Sequence, residues 1–248
     1  MTIWRLEWLR LVRTHRLTVL LGVFAFLGFT GPLTARYLGE ILKALGTGGI
    51  EVNFPPPRPV DGIAEYAGNV SQIGLLVVVL IAASALAFDG RREMALFLRT
   101  RLPVRAIVFP AYAMNVGAAV LGCAVGSATA WYETALLLGP LPAGRMLLGV
   151  GLTAVFLAFA IAVTALTASL TRSTIAAAGS ALALLLAMAI AGSVPAVARF
   201  LPTSLAGAMT GLAGDTAVSS FVPAAAIAVA AGVACVAGAI AISTRHEI

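Results

Sequence analysis

Apolar residues in this chain run in long blocks, and the polar residues gather between the blocks. Charge-free stretches of bilayer length recur six times: Leu17–Ala35, Val70–Phe88, Ala106–Ala130, Met146–Leu170, Ser173–Ala198 and about Thr216–Thr244. A helix that crosses the hydrocarbon core needs about 20 such residues, and the blocks lack the period-two alternation of a membrane barrel. The pattern predicts one all-α integral membrane domain over 1–248, with six transmembrane helices at about 17–38, 70–88, 106–130, 146–170, 173–198 and 216–244. Ahead of them stands "MTIWRLEWLRLVRTHR". There Trp4, Trp8 and Leu11 share a helical face at i, i+4, i+7, with Arg10 and Arg13 away from it. The spacing predicts a short amphipathic helix over 1–16 lying in the membrane interface, anchored by Trp4, Trp8, Arg10 and Arg13. The rival reading is the charged region of a secretory signal peptide. It calls for a following apolar run of about 7–15 residues, whereas here a full span follows.

Composition sharpens the class. The 248 residues are 60% hydrophobic and 10% charged, against roughly 45–50% and about 25% in a soluble domain. With mean hydropathy +1.02, this much apolar surface needs lipid as its solvent. The net charge of +6 therefore reads as membrane topology and not as a nucleic-acid patch. One side of the predicted membrane receives Arg5, Arg10, Arg13, Arg16, Arg91, Arg92, Arg99, Arg101, Arg105, Arg172 and Arg245, eleven cations in all. The other receives Arg36, Lys43, Arg58, Arg145 and Arg199, or five. The positive-inside rule then predicts a multi-pass plasma-membrane protein with both termini cytoplasmic.

The outer connections are expected to be a loop from Arg36 to Asn69 carrying the stiff "NFPPPRPVDG", a linker "WYETALLLGPLPAGRM", and "ARFLPTSLAGAMTGLAGD", whose modest polarity suits a short helix dipping into the outer leaflet. Gly122 and Gly126 form a GxxxG pair, and Ala224–Ala241 is a nearly continuous small-residue surface. Both serve close helix packing, with packing inside the chain the expected use. Cys123 and Cys235 lie in spans without metal-type spacing and read as small apolar packing residues.

Several chemistries lack their residues. No GxxxxGK[ST] loop is present, and the lone lysine, Lys43, has no glycine-rich approach, so the chain has no phosphate-cradling loop of that kind. His15 and His246 stand at opposite chain ends outside the spans, where neither can serve a membrane protease. No carboxylate cluster offers a metal site. The predicted spans also carry no ionisable group near the midplane, which an ion-coupled carrier needs. The chain is therefore expected to have no catalytic, cofactor-binding or metal-binding residues, and any energy for transport enters through another chain.

The segment "DGRREMALFLRTRLPVRAIVFP" (89–110) stands out. Its Arg91, Arg92, Arg99, Arg101 and Arg105 would each cost about 2.5–3.5 kcal/mol at the bilayer centre, so 89–105 must lie outside it. Met94, Phe97, Leu98 and Leu102 fall on one helical face, and Pro103 stops the helix before the third span. An apolar face on a charged loop fits a helix that inserts into a groove on a partner.

"RREMALFLRTRLPVR" resembles the first intracellular loop of ABC-2-type transporter permeases. Glu93 matches the acidic position of that loop, and Pro103, Val104 and Arg105 match its Pro-Val-x-Arg-like ending. The Gly-Thr pair common after the Glu is replaced by Met94-Ala95. The N-terminal Trp/Arg helix resembles the family's elbow helix, and "GPLTARYLGEIL", the Pro-rich loop and "NVSQIG" are similar to an actinobacterial subgroup. The resemblance covers essentially the whole chain. It implies a type-2 ABC exporter fold and a permease that pairs with a second copy or a relative around a substrate path. It also implies separate ABC ATPase subunits, which would bind ATP and Mg. ATPase coupling would fall to Arg91, Arg92, Glu93, Met94, Phe97, Leu98, Arg99, Leu102, Pro103 and Arg105. The other partners expected are membrane lipids. Two further readings stay open: a membrane receptor or scaffold whose arginine loop recruits a cytoplasmic protein, and a secondary carrier.

Overall fold

The computed structural model describes residues 3–44, 56–87, 103–171 and 173–245, with backbone only at 41–44. Among the described residues there is no strand, and six helices are long and apolar enough to cross a membrane.

Helix α1 (Ile3–Arg13) ends where Thr14 Oγ1 donates to the Arg10 carbonyl (2.6 Å) and His15 turns to φ +56°. The left-handed residue breaks the helix and redirects the chain into α2 (Arg16–Ala44). That span runs past its expected end at 38. Its internal Pro32 forfeits one backbone hydrogen bond, while Thr30 and Thr34 hydroxyls donate to the carbonyls of Phe26 and Thr30 (3.0 and 2.9 Å).

The second span departs most from expectation. It was expected over 70–88 after a long loop, but α3 (Pro59–Asn69), a π-turn (Val70–Gly74) and α4 (Leu75–Leu86) form one 28-residue rod. Pro59 suits a first helical position, and Asp61 Oδ2 accepts from the Arg58 backbone N–H at 2.8 Å. The added turns are amphipathic. Ile63, Tyr66, Ala67 and Val70, at i, i+3, i+4, i+7, are buried, so packing against the bundle holds a stretch that its charges excluded from the apolar run.

Helix α5 (Arg105–Leu137) is longer than the expected 106–130, taking in Trp131 and Tyr132. It closes at Gly139, whose φ of +123° is glycine territory and whose N–H bonds back to the Thr134 carbonyl at 3.0 Å. Helix α6 (Ala143–Thr171) forms the centre of the bundle, touching α4, α5, α7, α9 and α10. Helix α7 (Thr174–Ala191) stops seven residues before the expected 198. Pro195 cannot continue a helix, and it starts the four-residue α8 (Pro195–Ala198) after a turn instead.

A 3₁₀ turn (Pro202–Gly207) and α9 (Ala208–Ala213) follow. This is the short helix expected to dip into the outer leaflet, yet its Leu205, Ala208, Met209 and Leu212 are fully buried in protein. A Cβ on Gly149 of α6 would come within 2.8 Å of the Met209 Cα. Arg145 and Asp215 pair above it. A second 3₁₀ turn (Val218–Ser220) leads to α10 (Val222–Arg245), the last span.

The tightest contact is α2 against α5. A Cβ on Gly28 would overlap the Gly126 carbonyl, and one on Gly126 would meet the Phe24 carbonyl at 2.5 Å and the Tyr66 hydroxyl at 2.6 Å. The Gly122/Gly126 pair therefore serves packing inside the chain. Tyr66, fully buried, donates towards the Cys123 carbonyl (3.3 Å) and lies 3.3 Å from Ser127 Oγ.

Candidate functional site

The densest polar contact between distant segments joins α1 to the end of α4. Glu7 and Leu11 are the buried residues of α1. Glu7 lies one turn from Arg10, and the two pair at 3.3 Å with side chains 9% and 15% exposed. Arg10 Nη2 also donates to the carbonyls of Ser84 and Ala85 (3.4 and 3.3 Å), and Arg16 Nη2 to that of Ser84 (3.4 Å). The last carbonyls of a helix have no partner within it and carry its partial negative charge. Two guanidinium groups from the α1–α2 corner satisfy them here. The clamp sits at the root of the arginine-rich loop, since α4 ends at Leu86. Arg10, read from the sequence as a headgroup anchor, thus turns towards protein. Glu7 was not singled out, and its signal was a carboxylate one turn before an arginine on an otherwise apolar and basic helix.

Trp4 and Trp8 are 44% and 50% exposed, while Leu11 is buried, so the three do not share an environment. The Trp4 ring stands edge-on to Phe109 at 6.1 Å and 81°, a favourable aromatic geometry. Arg13 is exposed. Of the predicted coupling residues, Pro103 and Arg105 are described. The Pro103 carbonyl accepts from Ala106 N–H at 2.8 Å, and Arg105 opens α5, exposed. Arg91, Arg92, Glu93, Met94, Phe97, Leu98, Arg99 and Leu102 lie outside the described residues.

The outward side of the second span carries an unexpected pattern. Glu65 and Gln72 are exposed, Asp61 and Asn69 half-buried, and below them Ile73, Leu76 and Leu80 are exposed. Polar residues therefore occupy the half far from the clamp, apolar ones the near half, and the π-turn lies at the change. At 1.5 Å per residue Gln72 is about 18 Å above Ser84, so a hydrocarbon core about 30 Å thick that begins at Ser84 would hold it near the middle. Glu65 is about 28 Å above Ser84, near the far boundary. Among the described residues no group of three His, Cys, Asp or Glu could hold a metal ion.

Composition and fold together define a multi-span integral membrane protein. The chain is similar to YxlG of Bacillus subtilis strain 168, an uncharacterized transmembrane protein: 24% of 204 residues are identical, spanning 80% of this chain and 79% of that one. No protein-family model and no solved structure matches the chain.

Proposed function

We propose that the chain is the transmembrane permease subunit of an ATP-binding cassette exporter of the ABC-2 type. It has no catalysis of its own and is driven by separate ATPase subunits that hold ATP and Mg. The observation that carries this reading is the clamp of Glu7, Arg10 and Arg16 on the end of α4. A loop that passes force from an ATPase into the bundle needs a stiff root, and this one is tied at once to α1, α2 and α4. The eleven-to-five split of basic residues supports a plasma-membrane location with the clamp and both termini in the cytoplasm.

The polar strip supports pairing with a second permease. An exposed amide near mid-bilayer is poorly placed against lipid tails, and such groups usually face protein or a water-filled cavity. A second copy, or a related permease, set against this strip would put Asp61, Glu65, Asn69 and Gln72 along an outward-opening path. The apolar Ile73, Leu76 and Leu80 would close it below. A secondary carrier would use Glu65, the exposed carboxylate the longer span includes. That group lies at the far boundary, not the midplane where coupling ions bind.

Affinity purification of the full chain from its own membrane tests the reading. The expected result is a nucleotide-binding subunit recovered in stoichiometric amount with vanadate-sensitive ATP hydrolysis. Transport by the purified chain alone in vesicles, without any ATPase, would sink it.

A further inference from the structure

Near the Arg105 end of α5, a groove of about 370 Å³ opens between α5, α6 and α10. Phe109 and Tyr112 form one wall, Phe159 the floor, and Gly232, Ala237 and Ile240 the other wall. The lining is apolar except for the Tyr112 hydroxyl, which already donates to the Ala158 carbonyl at 3.3 Å. Nothing in it calls for water or a polar ligand. Along α10 the groove runs from Ala228 to Ile240, about 18 Å at 1.5 Å per residue. That is the depth of one leaflet, about half the hydrocarbon core.

The groove lies on the α1 side. Phe109 is one turn from Arg105, Ile240 is five residues before Arg245, and Trp4 stands edge-on to Phe109. A half-exposed tryptophan marks headgroup depth. Arg105 and Arg245 are exposed at the ends of the two helices that flank the groove. Neither has an ion-pair partner among the described residues, unlike Arg10, Arg58 and Arg145. An apolar slot one leaflet deep beside Arg105, an exposed cation with no ion-pair partner among the described residues, is complementary to an acyl chain beneath an anionic headgroup.

We propose that this groove holds an acyl chain of an anionic phospholipid, with the lipid phosphate held by Arg105, which shares the face of α5 that carries Phe109 and Tyr112. The site is separate from the path proposed along the second span and its test needs no ATPase; Arg105 is the one residue it shares with the predicted coupling loop. A second copy of the chain seated on α10 would exclude the lipid, and is the competing occupant.

The test exchanges the purified full chain into detergent containing equal phosphatidylglycerol and phosphatidylcholine, then counts retained lipids by native mass spectrometry. The chain should keep phosphatidylglycerol in preference to phosphatidylcholine. Arg105→Gln should lower that preference about fivefold, the equivalent of about 1 kcal/mol per juxtamembrane cation, and Arg245→Gln, on another face of α10, should lower it less. Ala237→Trp, which fills the groove from an exposed position, should lose the retained lipid. Leu184→Trp on the exposed face of α7 should keep it. Equal retention of the two lipids by the unmodified chain overturns the proposal. So does a preference that survives Arg105→Gln, or equal loss from Ala237→Trp and Leu184→Trp. If Ala237→Trp does not fold, Arg105→Gln decides alone.

Discussion

Helix α5 makes two contacts that could hardly differ more. Towards α2 its Gly122 and Gly126 let backbone meet backbone, with Phe24 and Tyr66 filling what remains. Towards α10 it presents Phe109 and Tyr112 to an open groove. Close helix approach in a membrane comes from small residues placed where two helices cross, because lipid tails supply no hydrophobic drive to press helices together. Small residues alone do not produce it. Helix α10 is richer in Ala and Gly than the α2 crossing, yet Gly232 keeps 3.8 Å between its would-be Cβ and that of Ala162. The α2–α5 seam is therefore a backbone-to-backbone spine, while α5 and α10 leave a groove between them.

The largest effect expected from breaking this contrast is at the spine. Gly126→Leu must push apart Phe24, Tyr66 and the α2 backbone, at a cost of about 3 kcal/mol or more. The folded, monodisperse fraction in detergent should collapse. Gly232→Ala, whose methyl would meet that of Ala162 at an ordinary 3.8 Å, should stay within about 0.5 kcal/mol of the parent in thermal unfolding. Equal losses in the two variants would show that the seam is not special.

Next in size is the clamp. Arg10→Ala leaves Glu7 buried without its pair, and about 3 kcal/mol is expected from such a break. Hydrogen exchange should rise first at Ser84–Ala87, where the carbonyl partners are lost. Glu7→Gln together with Arg10→Gln should recover much of the loss, since the uncompensated charge is gone. A double change no better than Arg10→Ala would mean that the pair itself does not govern the corner. A smaller effect separates the two halves of the second span. In a background with Cys123→Ala and Cys235→Ala, Gln72→Cys should react with an impermeant thiol reagent applied from the side opposite the clamp, and Leu80→Cys should not. Reaction at both, or at neither, would remove the water-filled path from the account.

What the sequence made legible, and what it did not, follows the physics of each signal. Six spans could be read because about 20 apolar residues in a row have few other uses. The outer turns of the second span were missed because Asp61 and Glu65 broke the charge-free run, although Ile63, Tyr66, Ala67 and Val70 already showed a helical face. The end of α7 was overrun because Val194–Ala198 is apolar enough to span, and only Pro195 marked the stop. Arg10 was assigned to lipid because its partners, the carbonyls of Ser84 and Ala85, are backbone groups 74 and 75 residues away. Backbone acceptors leave no trace in the identity of a residue. The glycine pair of α5 was legible as a packing device, but its partner Gly28 was not, since nothing in one helix names the helix it crosses.

The central claim is that energy enters through the arginine-rich loop, and one measurement bears on it most directly. The chain is co-expressed with an ABC ATPase recovered by the affinity purification proposed above, and subunit affinity and ATP hydrolysis are measured in lipid discs. Leu98→Asp places a charge on the predicted docking face. It forfeits about 1.5–3 kcal/mol of apolar burial, so affinity should fall by about one to two decades. Arg92→Gln, a coupling residue off that apolar face, should weaken docking far less than Leu98→Asp. Normal docking and substrate-dependent hydrolysis in Leu98→Asp, with both lost in Arg92→Gln, would contradict the account.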